Sequence, residues 1–140
     1  MSADLYQDAI VAEAKAKFGA GSLTEPDVTT VTDNPLCGDR VKLEVKLEDG
    51  AVADLAHKTR GCLLTMAAMS ILARHAKGLD ADGLAAMRGQ LEKLLNHDAP
   101  DDLWPELLNL APVADVHSRH ECVLLPFDAL RDAFAEAQQR

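Results

Sequence analysis

The chain predicts an α+β fold: a three-stranded antiparallel sheet with helices packed on one of its faces. Two observations carry that reading. Val41-Lys42-Leu43-Glu44-Val45-Lys46-Leu47-Glu48 alternates apolar and charged residues without a miss, the period of two of a strand with one buried and one wet face. After Gly61 the pattern changes to helical spacing, and a run of helices follows. Strands first and helices after place the helices together on the sheet's apolar side. With 140 residues, 48% of them apolar, the chain is long enough to bury a core as one domain spanning 1–140. Only 4% are aromatic, so that core is mostly Leu, Val, Ala, Ile and Met.

Taken in order, residues 4–18 read as an amphipathic helix with Leu5, Ile10, Ala14 and Phe18 near helical spacing, ended by Gly19-Ala20-Gly21. Asp27 to Thr32 is rich in β-branched residues and reads as the first strand. The alternating segment is the second. Asp49-Gly50 is a hairpin turn, so Ala51 to Lys58 returns antiparallel as the third. Leu63 to Lys77, rich in Ala, Leu and Met, is a helix closed by Gly78. Asp80 caps a further helix to about Leu95, weakened but not broken by Gly89. Asp98 to Pro112 is turn-rich, with one short apolar piece at 103–108. A last helix carries Leu124, Phe127, Leu130 and Phe134. Proline fits only a first helical turn, so Pro126 sets its start near Val123 and leaves Cys122 at its N-terminus.

The net charge of −9 argues against nucleic acid and anionic membranes, both of which attract basic patches. No apolar run approaches the roughly 20 residues that cross a bilayer. The acidic N-terminus lacks the features of a signal peptide. Together these predict a cytoplasmic protein whose thiols stay reduced. Three cysteines do not suit a closed disulfide framework.

The chemistry gathers around Asn34-Pro35-Leu36-Cys37-Gly38-Asp39, which sets a thiol and a carboxylate two residues apart on a turn. In an antiparallel pair, Cys37 before the second strand and Cys62 after the third lie at one end of the sheet. Cys62 and Cys122 each precede a helix, and a helix N-terminus favours thiolate. Three sulfurs and one oxygen would suit zinc or an iron–sulfur cluster. Gaps of 25 and 60 residues between the cysteines match no generic metal template, however. The plain alternative is three small core hydrophobes and a turn. Other polar residues read as structural: His57, His75 and His117 as solvated, His97-Asp98 as loop, Ser70 as a helix interior residue. Met66, Met69 and Met87 read as core packing, and Lys42, Glu44, Lys46 and Glu48 as the wet face of a strand.

Asn34 to Asp39 before a strand, Gly61-Cys62 opening a helix, and Arg119-His120-Glu121-Cys122 followed by Leu124-Leu125-Pro126-Phe127 together resemble the U-type iron–sulfur cluster assembly scaffolds. These are the IscU and NifU N-terminal-like proteins of the SufE/NifU fold. The resemblance runs from about Tyr6 to Ala133. The 60-residue gap to Cys122, with Thr65-Met66-Ala67 and Ser70, is similar to the SUF-type (SufU-like) branch. It implies a ligand set of Cys37, Asp39, Cys62 and Cys122, with Cys37 and Cys122 as candidate persulfide acceptors and Asp39 as the labile ligand. It also implies a transient cluster of the 2Fe–2S kind, a cysteine desulfurase as sulfur donor and apo iron–sulfur proteins as recipients. The alternative within the resemblance is Zn2+ at the same residues and a zinc-dependent sulfurtransferase role beside a SUF-type desulfurase. Arg119 matches a basic residue of the family. Two departures stand out: Glu121 occupies a place the family gives to histidine or lysine, with His120 one further back, and the Leu-Pro-Pro-Val-Lys chaperone motif is absent. Glu121 is expected to raise the Cys122 pKa, and His120 is a spare ligand candidate.

Overall fold

The structure, a computed structural model, describes residues 7–36 and 38–139. Helix α1 (Asp8–Ala16) leads into strands β1 (Val28–Asn34), β2 (Asp39–Glu48) and β3 (Ala51–Arg60). Helices α2 (Leu63–His75) and α3 (Ala81–Leu95) follow, then a 3-10 stretch (Pro105–Asp115), a short 3-10 turn (His117–Arg119) and α4 (His120–Gln138). The sheet is an antiparallel meander in the order β1-β2-β3. The expected α+β arrangement is the one observed.

The alternation in β2 sets the register. Val41, Leu43 and Val45 are buried toward the helices while Arg40, Lys42, Glu44 and Lys46 face outward. Residue Val28 pairs with Val45 and Asn34 with Asp39; on the other side Arg40 pairs with Arg60 and Glu48 with Ala51. Asp39, the end of β1 and Gly61-Cys62 therefore meet at one end of the sheet. Helix α4 packs on β1 and β2, and α2 on β3, with Leu64, Ile71, Leu72, Phe127 and Leu130 closing the core. Each large apolar side chain buried this way contributes about 1.5–3 kcal/mol.

Several elements differ from the sequence expectation. Helix α1 stops at Ala16 because Lys17 takes a left-handed conformation (φ 47°); Leu5 lies outside the described residues. Phe18 is 46% exposed, with the Arg74 guanidinium 5.0 Å above its ring. Strand β1 continues to Asn34 and β3 to Arg60.

Helix α4 begins at His120, so Pro126 stands inside it rather than in its first turn. Proline cannot donate to the carbonyl four residues back, a cost of about 3 kcal/mol. The continuous burial of residues 122–127 compensates for it. Much of the segment read as turn-rich is 3-10 helix, with Leu107, Leu110 and Val113 buried. Asp80 does cap α3, its carboxylate accepting from the Gly83 N–H at 2.7 Å.

His57 is the largest departure: it is 4% exposed rather than solvated. The register places it opposite Leu43 on the inner face. Its Nε2 donates to the Phe18 carbonyl at 2.8 Å and its Nδ1 lies 2.9 Å from the Thr59 hydroxyl. Burial lowers its pKa, with the Phe18 bond acting the other way. Ser70 is also structural in an unexpected way. Its hydroxyl accepts from the Phe18 N–H at 3.1 Å and donates to Glu13 at 2.6 Å, tying the end of α1 to α2.

His75 is half-buried, stacked on Trp104 at 4.4 Å and 3.0 Å from Glu106. Met69 and Met87 are buried, whereas Met66 is only half-buried. No described helix is long and apolar enough to cross a membrane.

Candidate metal centre

Three elements bring donor atoms together. Asp39 is the first residue of β2, Cys62 is the N-cap of α2, and Cys122 is the third residue of α4. Their ligating atoms all lie within 4.8 Å of one another. Asp39 is 3% exposed, Cys122 is fully buried and Cys62 is half-buried, so the cluster opens to solvent beside Cys62.

Hydrogen bonds fix the carboxylate. The Cys62 N–H donates to Asp39 Oδ1 at 3.2 Å, and the Thr65 hydroxyl donates to Oδ2 at 2.6 Å. The Cys62 sulfur lies 3.7 Å from Oδ2 and 3.5 Å from the Thr65 hydroxyl.

This donor set fits a metal. Zinc bonds of about 2.3 Å to sulfur and 2.1 Å to oxygen, at tetrahedral angles, give a sulfur–oxygen edge of about 3.6 Å. The Cys62–Asp39 edge already measures 3.7 Å. Two thiolates and a carboxylate also suit an iron–sulfur centre, the carboxylate being the harder and looser ligand.

Cys37 lies outside the described residues. Its neighbours do not: Leu36 is 89% exposed and Gly38 is exposed with φ 74°. The Leu36 N–H donates to Asn34 Oδ1 and the Gly38 N–H to the Asn34 carbonyl, closing a turn at the edge of the cluster.

Two residues essential to this geometry enter the sequence reading only as parts of motifs, with no site role of their own. Thr65, fully buried one turn into α2, anchors the carboxylate. Gly61 makes room for it: a Cβ there would stand 2.6 Å from Asp39 Cγ and Oδ1. A Gly-Cys pair at a strand–helix junction is the sequence signal for Gly61. No local pattern marks Thr65.

The histidines stay apart. His120 Nε2 lies 3.2 Å from the Ala114 carbonyl and its ring stacks on exposed His117 at 4.6 Å, so it is not among the converging donors. His97 pairs with Asp115 at 3.0 Å rather than with Asp98. Glu121 is exposed and lines a cleft with Asn34 and Pro35.

The Cys62 thiol is held down from 9.0 to about 6. The first cause is the hydrogen bond with Cys122, opposed by burial, with the Thr65 hydroxyl and N–H assisting and the Asp39 carboxylate opposing. A depressed thiol pKa gives stability that is full above the ordinary thiol value and lost as pH falls through about 6. Alkylation of Cys62 by iodoacetamide, followed by peptide mass spectrometry, should therefore reach half its limiting rate near pH 6. In Cys122→Ala that midpoint should rise by about one unit or more. An unmoved midpoint would refute the thiol–thiolate pairing.

The chain matches the NifU-like N terminal domain model over residues 5–100. It belongs to the NifU-like N-terminal domain family. The family match ends before Cys122, which full-length relatives cover. The iron-sulfur cluster assembly scaffold protein IscU of Thermotoga maritima is 26% identical, covering 92% of each chain. The zinc-dependent sulfurtransferase SufU of Bacillus subtilis is 27% identical over 96% of this chain and 92% of its own. The iron-sulfur cluster assembly enzyme IscU of Drosophila melanogaster is 32% identical, over 94% and 77%. Among solved structures, a nitrogen-fixing NifU-like protein (N-terminal) from Brucella abortus superposes with a TM-score of 0.87 at 32% identity, covering 98% and 96%. This NifU-like domain thus shares the family's fold across nearly its whole length.

Proposed function

We propose that this NifU-like domain is an iron–sulfur cluster assembly scaffold. It receives sulfur from a cysteine desulfurase, binds iron, carries the cluster on Cys37, Asp39, Cys62 and Cys122, and passes it to apo-proteins. The observation that carries this reading is the convergence of Asp39, Cys62 and Cys122 within 4.8 Å at a corner open beside Cys62. A cargo that must leave needs a weak ligand and an exit, and Asp39 beside half-buried Cys62 supplies both.

Cys122 is fully buried, so a persulfide borne by another protein cannot reach it in this conformation. The first acceptor is then Cys37, between two exposed neighbours. Its thiolate attacks the outer sulfur of the donor's Cys–S–SH group. The donor's S–S bond breaks as the new one forms, the donor leaves as a thiolate, and no net electrons move. Cys122 takes sulfur only after α4 shifts.

A second reading has its own support. The Cys62–Asp39 edge is already of zinc dimensions, and the hydrogen bond with Cys122 lowers the Cys62 thiol pKa to about 6. Zn2+ would then be the resident ion, held by the same four residues, and the protein a zinc-dependent sulfurtransferase partner of the desulfurase.

One experiment separates the two. The protein is purified anaerobically, its zinc and iron are measured, and desulfurase, cysteine and ferrous iron are added. Visible absorption from a cluster that transfers to apo-ferredoxin supports the scaffold. Stoichiometric zinc with no cluster and a several-fold rise in desulfurase turnover would replace it with the sulfurtransferase.

A further inference from the structure

The outer face of the sheet carries a square of four cations at the end nearest the metal centre. Arg40 stands directly opposite Arg60 and Lys42 opposite Lys58, on adjacent antiparallel strands. The two rows alternate outward along each strand, so all four side chains share one face. Arg40, Lys58 and Arg60 are exposed and Lys42 is half-buried. They line a shallow hollow of about 240 Å³ together with Thr59.

Like charges directly opposed across strands destabilise a sheet. Here two such pairs sit side by side in a chain with 23 acidic residues against 14 basic ones. Arg40 is in an ion pair, with Asp33 at 2.6 Å. Among the described residues Lys42, Lys58 and Arg60 are in none. A fold rich in carboxylates thus leaves this cluster of cations largely uncompensated. An exposed apolar residue flanks it: Val31, opposite Lys42 on β1, is 53% exposed.

Position narrows the occupant. Arg40 follows Asp39 in the chain, and Arg60 is separated from Cys62 by Gly61 alone. Whatever docks on the square is held against the mouth of the cluster. The shallow face, with exposed Val31 beside it, suits a protein surface. The net charge of −9 repels an extended polyanion.

We propose that Arg40, Lys42, Lys58 and Arg60 form the docking face for a carboxylate-bearing surface of the cysteine desulfurase. The inference rests on the reading above that a desulfurase supplies the sulfur. A fixed square beside the thiols matches a single dedicated donor, whose persulfide must arrive at a set distance from its anchor.

The test is the affinity of the purified cognate desulfurase for the wild-type protein and for the Lys58→Glu/Arg60→Glu variant, at about 50 and 200 mM salt. Zinc binding is measured in parallel. The variant is expected to lose at least about tenfold in affinity and most of the salt dependence, with zinc binding unchanged. Lys58→Ala/Arg60→Ala should show a smaller loss in the same direction. Affinity and salt dependence equal to wild type, with zinc still bound, would overturn the docking face and leave the metal centre standing. Loss of zinc binding by the wild-type protein would instead strike the reading of the site. Preferential binding of a 20-nucleotide duplex to the square would also overturn the proposal, by naming a different occupant.

Discussion

Gly61→Ala is expected to lower the affinity for zinc by about 100-fold, or 2.7 kcal/mol, while leaving the far-UV circular dichroism of the apo-protein unchanged. The added Cβ would lie 2.6 Å from both Cγ and Oδ1 of Asp39 and 3.0 Å from its Cβ, where ordinary contacts begin at 3.4 Å. The neighbour is no flexible side-chain tip. Asp39 is short, 3% exposed, and anchored in the register of β2. Relief needs a shift of most of an ångström, whereas metal–ligand distances tolerate only about 0.2 Å.

Gly89→Ala is the control. Its Cβ would meet nothing within 4 Å inside α3, so it should stabilise the fold by about 0.5–1 kcal/mol without touching zinc affinity. Isothermal titration with zinc and chemical denaturation measure both. A Gly61→Ala protein that binds zinc within threefold of wild type would show that Asp39 is not held where the metal needs it.

How much of this was legible beforehand depended on whether the information was local. The alternation of β2, the Asp49-Gly50 turn and the Gly61-Cys62 junction are neighbour-scale patterns, and they placed Asp39 and Cys62 at one end of the sheet. Thr65 and Ser70 were not legible as anchors. Each is a small polar residue in a helix, and its role depends on a partner 26 or 52 positions away. His57 was misread because a lone histidine on a strand looks solvated. Only the pairing with Leu43 shows that it faces inward.

Cys122 was the hardest. Cys122 lies 60 positions and two α-helices beyond Cys62, so spacing alone could not bring it to the cluster; the resemblance did that for the expectation. The start of α4 failed for a different reason. The first-turn rule for proline yields where packing outweighs one lost hydrogen bond, as the buried run around Pro126 shows. Of the charge square, the sequence marks only Lys42, as part of the wet face of a strand. Its opposed pairs exist only once the register is known.

Asp39→Ala is expected to prolong the life of a reconstituted cluster by about five- to tenfold, a change of roughly 1–1.4 kcal/mol in the barrier to release. The reason lies in the carboxylate's alternative partners. Oδ1 accepts from the Cys62 N–H and Oδ2 from the Thr65 hydroxyl. On the proposed reading, a carboxylate that let go of iron would be caught at once by these two donors at the start of α2, and its detached state stabilised. Hydrogen bonds to a carboxylate contribute about 1.5–3 kcal/mol each, enough to offset one weak oxygen–iron bond. Removing the side chain removes that compensated detached state and one negative charge beside two thiolates.

Thr65→Val keeps the shape and deletes the stronger of the two catching bonds, so it should slow release by about two- to threefold. Thr65→Ser should restore the wild-type rate. Cluster loss is followed by visible absorption under argon with a chelator present. Faster loss from Asp39→Ala, or a Thr65→Ser protein that behaves like Thr65→Val, would mean that Asp39 holds the cluster in place rather than letting it go.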